Sequence, residues 1–296
     1  MRFRLIDEEK SRHSISRMAR VLGVTAAGYH AWKRRAPSPR RLEDARLKER
    51  ITSHFESSHD TYGAPRILDD LADEGIRVSR KRVARLMREL GIAGVSGREG
   101  RRRRRKAAVP ESEAATDLVR RDFTAGEPNQ VWFADITYVP TWEGWLFLAV
   151  VMDACTKRIV GWSMRDDLKA DIVIDALGMG TTMRRPQAGL VHHSDRGAQY
   201  RSLALGRTLR DSGILASMGA TGVPHDNAVT ESVMATIKKE CVHRHTFKTR
   251  DEARFAIFRY IEGFYNSYRR HSSLGNLSPA EFERRLEQCR PQAAVC

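Results

Sequence analysis

The sequence predicts an α/β domain carried behind an all-helical amino-terminal third, and three observations predict it. From Asn129 onward the chain runs through short apolar, β-branched and aromatic segments, Val131–Val139, Trp145–Asp153 and Arg158–Met164, separated by turn signals at Trp142–Gly144 and Thr156–Lys157. Beyond them, helix-length and strand-length segments alternate, the pattern of parallel strands covered by helices on both faces. Upstream, residues 1–106 show helical periodicity and carry 28 Lys+Arg against 14 Asp+Glu, so nearly all of the net +15 of the 296-residue chain lies there. A charge so unevenly placed points to a polyanionic partner, and DNA phosphates are the commonest one.

Within the helical third, residues 14–35 read as a helix-turn-helix. Ile15, Met18, Ala19 and Leu22 share one helical face, Gly23 makes the turn, and Thr25 caps a second helix that carries Tyr29 and Trp32 before Lys33, Arg34 and Arg35. Past Pro37 and Pro39, residues 40–56 read as a charged helix. A second hairpin spans residues 62–93: Pro65 opens its first helix, Gly75 ends it, Ser79 caps the next and Gly91 stops it. Val83, Leu86, Met87 and Leu90 form the apolar stripe of that last helix, and its basic first turn, Arg80, Lys81 and Arg82, suits phosphate contact.

The expected organisation is a helix-turn-helix-like region at 1–45, a DNA-binding hairpin at 46–96, a basic flexible linker at 97–125, an α/β core with carboxyl-terminal helices at 126–285 and a tail at 286–296. Arg101, Arg102, Arg103, Arg104 and Arg105 in the linker cannot pack together and read as a clamp on DNA phosphates. In the core, the first three strands read as consecutive and antiparallel. A helix at 169–184, a strand at Leu190–Ser194, a helix at 200–212, a strand at Ile214–Ser217 and helices at 227–242 and 250–268 follow. No run of about 18 apolar residues is present, so no membrane span is expected. Four cysteines without a C-x-x-C pairing fit a reduced, cytoplasmic chain. The absence of G-x-G-x-x-G and P-loop motifs argues against a small-molecule enzyme of the doubly wound class.

Three carboxylates stand where such a fold gathers a ligand. Asp135 lies inside an apolar strand, where a carboxylate is costly unless a metal or cation compensates it. Asp195 follows the strand Leu190–Ser194, and the carboxyl ends of strands are where open α/β sheets place ligands. Glu231 lies about a turn inside a helix that Asp226 or Asn227 can cap. An oxygen-preferring divalent ion, Mg²⁺ or Mn²⁺, would gather these groups, and a pair of such ions activates the attacking oxygen and stabilises the leaving one in phosphodiester cleavage. Lys238, two helical turns after Glu231, shares its face and is placed to hold a DNA phosphate. Asp153 reads as the acceptor for the turn that follows it, and His192 and His193 as side chains that orient a carboxylate. Cys241, His243 and His245 lack a second ligand pair with zinc-site spacing.

These segments together resemble the catalytic domain of bacterial insertion-sequence transposases of the retroviral-integrase class. The interval of 35 residues between Asp195 and Glu231 is that of this branch. His193-Ser194-Asp195-Arg196-Gly197 with Gln199-Tyr200 resembles its second motif, and Asp226-Asn227-Ala228 with Glu231-Ser232 and Lys238 its third. Tyr265-Asn266, Arg269, His271, Leu274 and Ser278-Pro279 resemble its carboxyl-terminal signature, and Tyr62-Gly63-Ala64-Pro65-Arg66-Ile67 the helical domain before the core. In one stretch the chain departs: where the family has a Gly-rich loop ending in Cys-Trp, Val223-Pro224-His225 precedes Asp226-Asn227.

The resemblance implies an RNase H-like core with Asp135, Asp195 and Glu231 as catalytic and metal-holding residues, two Mg²⁺ or Mn²⁺ ions per site, and His193 and Asn227 in support. It implies cutting of one DNA strand by water and attack of the freed 3′-OH on another phosphodiester. It further implies a homo-multimer on DNA, a bacterial and nucleoid-associated setting, and an upstream-frame partner or frameshift fusion. Two rivals stay open at this level: a hydrolysis-only nuclease of the same fold, and a DNA-binding protein whose catalytic core has decayed.

Overall fold

The computed structural model describes residues 1–95, 118–119, 125–219 and 228–289. Its amino-terminal unit is three short helices, α1 (Arg2–Glu9), α2 (Ile15–Val21) and α3 (Ala26–Arg34), packed around Ile6, Ala19 and Tyr29. The expected turn chemistry between α2 and α3 is present: Gly23 sits at φ +63° and the Thr25 hydroxyl accepts from the Gly28 N–H at 3.0 Å. Helix α1 was not legible, because it buries only Ile6 and so shows no apolar stripe. Tertiary contact holds it, with the Tyr29 hydroxyl donating to Asp7 at 2.7 Å.

Helices α4 (Pro39–Ser57), α5 (Ala64–Asp73) and α6 (Arg80–Leu90) follow, with Ser79 capping α6 and Gly91 ending it in the left-handed region. These helices are continuous with the α/β core. Ile51, Tyr62, Ile67, Leu71, Val83 and Leu86 bury their side chains in one cluster with Phe133, Leu148, Val150, Phe264 and Tyr265. Polar contacts reinforce the junction. The Tyr62 hydroxyl donates to the Tyr268 carbonyl (3.2 Å) and accepts from the Arg270 N–H (2.7 Å), and the Arg270 guanidinium pairs with Asp70 at 2.6 Å and with Asp73. Burial pushes the Tyr62 phenol up to about 12.

The sheet has five strands, β1 (Val131–Thr141), β2 (Gly144–Asp153), β3 (Ile159–Arg165), β4 (Val191–Ser194) and β5 (Leu215–Met218), in the order β3-β2-β1-β4-β5. The first three form an antiparallel meander; β4 is parallel to β1, and β5 to β4. Alternation along β1 divides the interior. Trp132 and Ala134 face α7 (Asp171–Arg184) and α8 (Leu203–Asp211), whereas Phe133 and Val139 share a cluster with α9 (Ala228–Glu240), α10 (Arg250–Phe258) and the α4–α6 helices. Strand β3 lies so close to α7 that a Cβ on Gly161 would come within 2.1 Å of the Ala176 carbonyl oxygen.

The helix expected over 250–268 departs from α geometry at Arg259 and continues as a π-helical segment to Tyr265, burying Tyr260, Ile261, Phe264 and Tyr265. Asn266 follows it and uses its side-chain amide to bond both the N–H and the carbonyl of Ile159 (2.9 Å each), satisfying the edge strand β3. Helix α11 (Pro279–Cys289) is anchored through Glu283, which takes Arg184 at 2.7 Å and Arg158 at 2.8 Å.

Candidate active site

Register decides where the two aspartates lie. Ala134 on β1 pairs with Ser194, the last residue of the parallel strand β4, so Asp135 and Asp195 are the next residues on neighbouring strands. Parallel neighbours run about 4.8 Å apart, which sets the backbones of the two residues side by side at the carboxyl end of β4. Both are half-buried. The Asp135 carboxylate accepts from the Ile136 N–H at 2.8 Å, and that of Asp195 from the Gly197 N–H at 2.9 Å. A Cβ on Gly197 would come 2.9 Å from Asp195 Oδ1.

Tyr200 belongs to the same site, and sequence reading placed it in a motif without giving it a role. Its hydroxyl is buried and has no hydrogen-bond partner among the described residues. Burial first, then the negative charges of Asp135 and Asp195, hold its pKa well above the usual phenol value.

Glu231 lies in the first turn of α9, exposed, and α9 packs against β1 through the cluster that holds Val233, Met234, Ile237 and Phe133. Position 135 shares the strand face of Phe133, so α9 covers the face on which Asp135 lies. Lys238 is half-buried two turns further along the helix. Among the described residues no group of three or more His, Cys, Asp or Glu side chains is gathered closely enough to hold a metal ion. Register thus brings Asp135 and Asp195 to neighbouring positions, and Glu231 stands on the helix that covers the same sheet face. Residues 220–227, which lead into α9 and include Val223-Pro224-His225, Asp226 and Asn227, lie outside the described residues.

The neighbouring candidates have defined places. Asp153 is buried at the end of β2 and accepts from the N–H groups of Asn129 (2.6 Å), Cys155 (3.0 Å) and Thr156 (2.9 Å), the turn-holding role expected of it. His193 Nδ1 lies 2.9 Å from the Ser217 hydroxyl and its ring packs edge-on against Phe133, which fastens β4 to β5. His192 points to the opposite face beside Tyr200, and burial, then the charge of His193, lowers its pKa to about 4.

The basic residues separate into two kinds. Arg80 and Lys81 are exposed on the first turn of α6. Arg82 is half-buried and bonds Asp44 at 2.8 Å and both Glu43 oxygens at 2.9 and 3.1 Å, tying α6 to α4. Arg101–Arg105 lie outside the described residues.

One group was missed altogether. Glu240, at the end of α9, is buried and held by Arg269 at two points, by the Tyr260 hydroxyl and by Arg66 at 3.5 Å. In sequence it ends a Lys-Lys-Glu run that reads as solvated. The only sequence signal of its burial was Arg269, which stands in a motif without an obvious acidic partner nearby in the chain.

Models of known protein families match two parts of the chain. Models of an integrase core domain match residues 125–224 and 212–279, and a model of an HTH-like domain matches residues 41–105. The chain is similar to the 31 kDa protein of insertion element IS600 of Shigella sonnei, at 41% identity over 92% of this chain and 99% of that protein. It is 37% identical to the transposase for insertion sequence element IS629 of Shigella sonnei, over 95% of each chain. It is also 37% identical to the transposase InsF for insertion sequence IS3A of Escherichia coli (strain K12), over 96% of this chain and 98% of that one.

Proposed function

The chain belongs to the family of insertion-sequence transposases that carry an integrase core, and from that membership we propose that Asp135, Asp195 and Glu231 form its catalytic centre. The observation that supports the proposal is the Ala134–Ser194 pairing, which makes Asp135 and Asp195 neighbours on the sheet face that the helix of Glu231 covers. The donor set is all oxygen, and two aspartates at a strand end with a glutamate on a covering helix suit Mg²⁺ or Mn²⁺ better than zinc. Two such ions, when bound, lower the pKa of water and stabilise charge on the oxygens of an in-line displacement.

The chain's own residues supply the rest. Gly197 holds the Asp195 carboxylate through its N–H, and the Glu240 anchor fixes the helix of Glu231. Lys238 holds a phosphate of the strand being cut, while Arg80, Lys81 and Arg101–Arg105 neutralise phosphates further along the DNA. In the first step a water oxygen adds to phosphorus and the bond to the 3′ oxygen breaks, leaving a 3′-OH and a 5′-phosphate. In the second, that 3′-OH attacks a target phosphodiester and displaces its 3′ oxygen. A homo-multimer that holds two element ends joins both reactions in one complex.

Nicking of supercoiled plasmid by the purified chain with Mn²⁺, with Mg²⁺ and with EDTA, beside Glu231→Gln, tests the reading. Metal-dependent nicking lost in the variant supports it. Nicking that persists in the variant removes Glu231 from the centre, and nicking without joining of a 3′-OH oligonucleotide to the plasmid reduces the activity to hydrolysis.

A further inference from the structure

The β1–β2 hairpin runs on beyond the end of β4 on one side and of β3 on the other. Strand β4 pairs with β1 only as far as Ala134, but β1 runs on to Thr141 and returns along β2 from Gly144. This projecting end carries three large exposed aromatic side chains: Trp142 (72% exposed), Trp145 (53%) and Tyr138 (47%). Tyr138 and Trp145 pack together, and Trp142 stands at the turn beside them in sequence. The Tyr138 ring stands edge-on to Trp145 at 5.9 Å and to Phe147 at 5.2 Å. The hairpin tip is braced, since the Trp142 N–H donates to the Phe247 carbonyl at 3.1 Å and the Arg250 guanidinium donates to the Trp145 carbonyl at 3.2 Å. Lys248 Nζ lies 5.9 Å from the Trp142 ring centre.

We propose that this hairpin tip is a stacking platform for unpaired bases of the DNA on which the chain acts. The inference rests on the proposed function for its occupant and on the aromatic surface for its chemistry. Exposed, braced aromatic rings flanked by Lys and Arg are what single-stranded nucleic acid selects: bases stack on the rings while the cations take the phosphates. Trp and Tyr also favour protein interfaces, but lysine is depleted there, and here Lys248 stands over the most exposed ring. By strand alternation Tyr138 and Trp145 lie on the sheet face opposite Asp135, and at about 3.3 Å per residue Tyr138 is ~10 Å and Trp142, in the turn, ~23 Å along the hairpin from it.

The test compares binding of the full chain to two probes, a blunt duplex and the same duplex with a six-nucleotide single-stranded end, for the wild type and for Trp142→Ala/Trp145→Ala. The wild type is expected to prefer the probe with the unpaired end by about tenfold, and the double variant to lose that preference while binding the blunt duplex unchanged. Both side chains are exposed, so the melting temperature of the variant should match the wild type and serve as the control for folding. Equal loss on the two probes, or no loss on either, overturns the proposal. So does a change in sedimentation with the preference intact, which would make the patch an interface between copies. Plasmid nicking by the same preparations separates this result from the wider reading. A wild type that shows the preference but never nicks keeps the platform and removes the catalytic centre, and one that nicks without the preference does the reverse.

Discussion

Arg269 grips Glu240 with two hydrogen bonds of 2.7 Å, Nε to Oε2 and Nη2 to Oε1, and the pair is buried. Glu240 closes the helix whose first turn holds Glu231, so a buried contact at its far end fixes the axis of the helix that bears a proposed catalytic residue. Burial works against the Glu240 carboxylate, but the Arg269 guanidinium outweighs it and lowers its pKa. Arg269→Gln or Glu240→Gln alone leaves a buried charge without its partner and should cost about 3–5 kcal/mol in urea unfolding. The double replacement should recover part of that loss, and strictly additive costs would show that the pair is not coupled.

Asp135→Asn, Asp195→Asn and Glu231→Gln should each lower metal-dependent nicking by about 100-fold or more while leaving affinity for DNA unchanged. Gly197→Ala should lower it by roughly tenfold, because the added Cβ meets the Asp195 carboxylate at 2.9 Å and must displace it. Wild-type rates in Gly197→Ala would show that the placement of Asp195 tolerates this shift.

His192 gives the fold an acid-sensitive point. Its folded pKa is lowered to about 4, so the folded state binds fewer protons than the unfolded chain below the ordinary histidine value of 6.5. Its contribution is therefore fully present above pH 6.5 and is lost as the pH falls towards 4. Between pH 7 and pH 5 this amounts to ~2 kcal/mol. Depression of the Glu240 pKa acts in the same direction at lower pH, its stabilisation being lost as the pH falls through the folded carboxylate's value. Chemical denaturation across pH 5–7 should show the His192 slope in the wild type and a smaller one in His192→Gln. Equal slopes would place the acid sensitivity elsewhere.

Arg80 and Lys81 are exposed, and Arg82 beside them is held by Glu43 and Asp44. Replacing Arg80 and Lys81 with alanine should reduce the slope of log affinity against log salt by about 2 and leave thermal stability unchanged. Arg82→Ala should do the opposite, lowering the melting temperature and changing the salt slope little. A salt slope that falls with Arg82 would assign it to the DNA after all.

The sequence by itself determined the element types and the order of the domains, because both follow from short-range physics. Ser79 and Gly91 mark the ends of α6 through the orphan backbone groups they satisfy, and two-residue alternation marks β1 whatever it packs against. Asp135, Asp195 and Glu231 were legible as candidates for the same local reasons: a carboxylate within an apolar strand, one just past a strand, one inside a capped helix. What only the tertiary structure decided is which groups meet. The Ala134–Ser194 register sets the aspartates side by side and brings Tyr200 into their field; Arg82 is drawn from phosphate duty into a helix clamp; and α4–α6, expected as a separate unit, share one core with the sheet. Helix α1 and the Glu240–Arg269 pair left almost no local trace. Their stability comes from partners brought together by chain folding, and no periodicity along the chain records a contact across it.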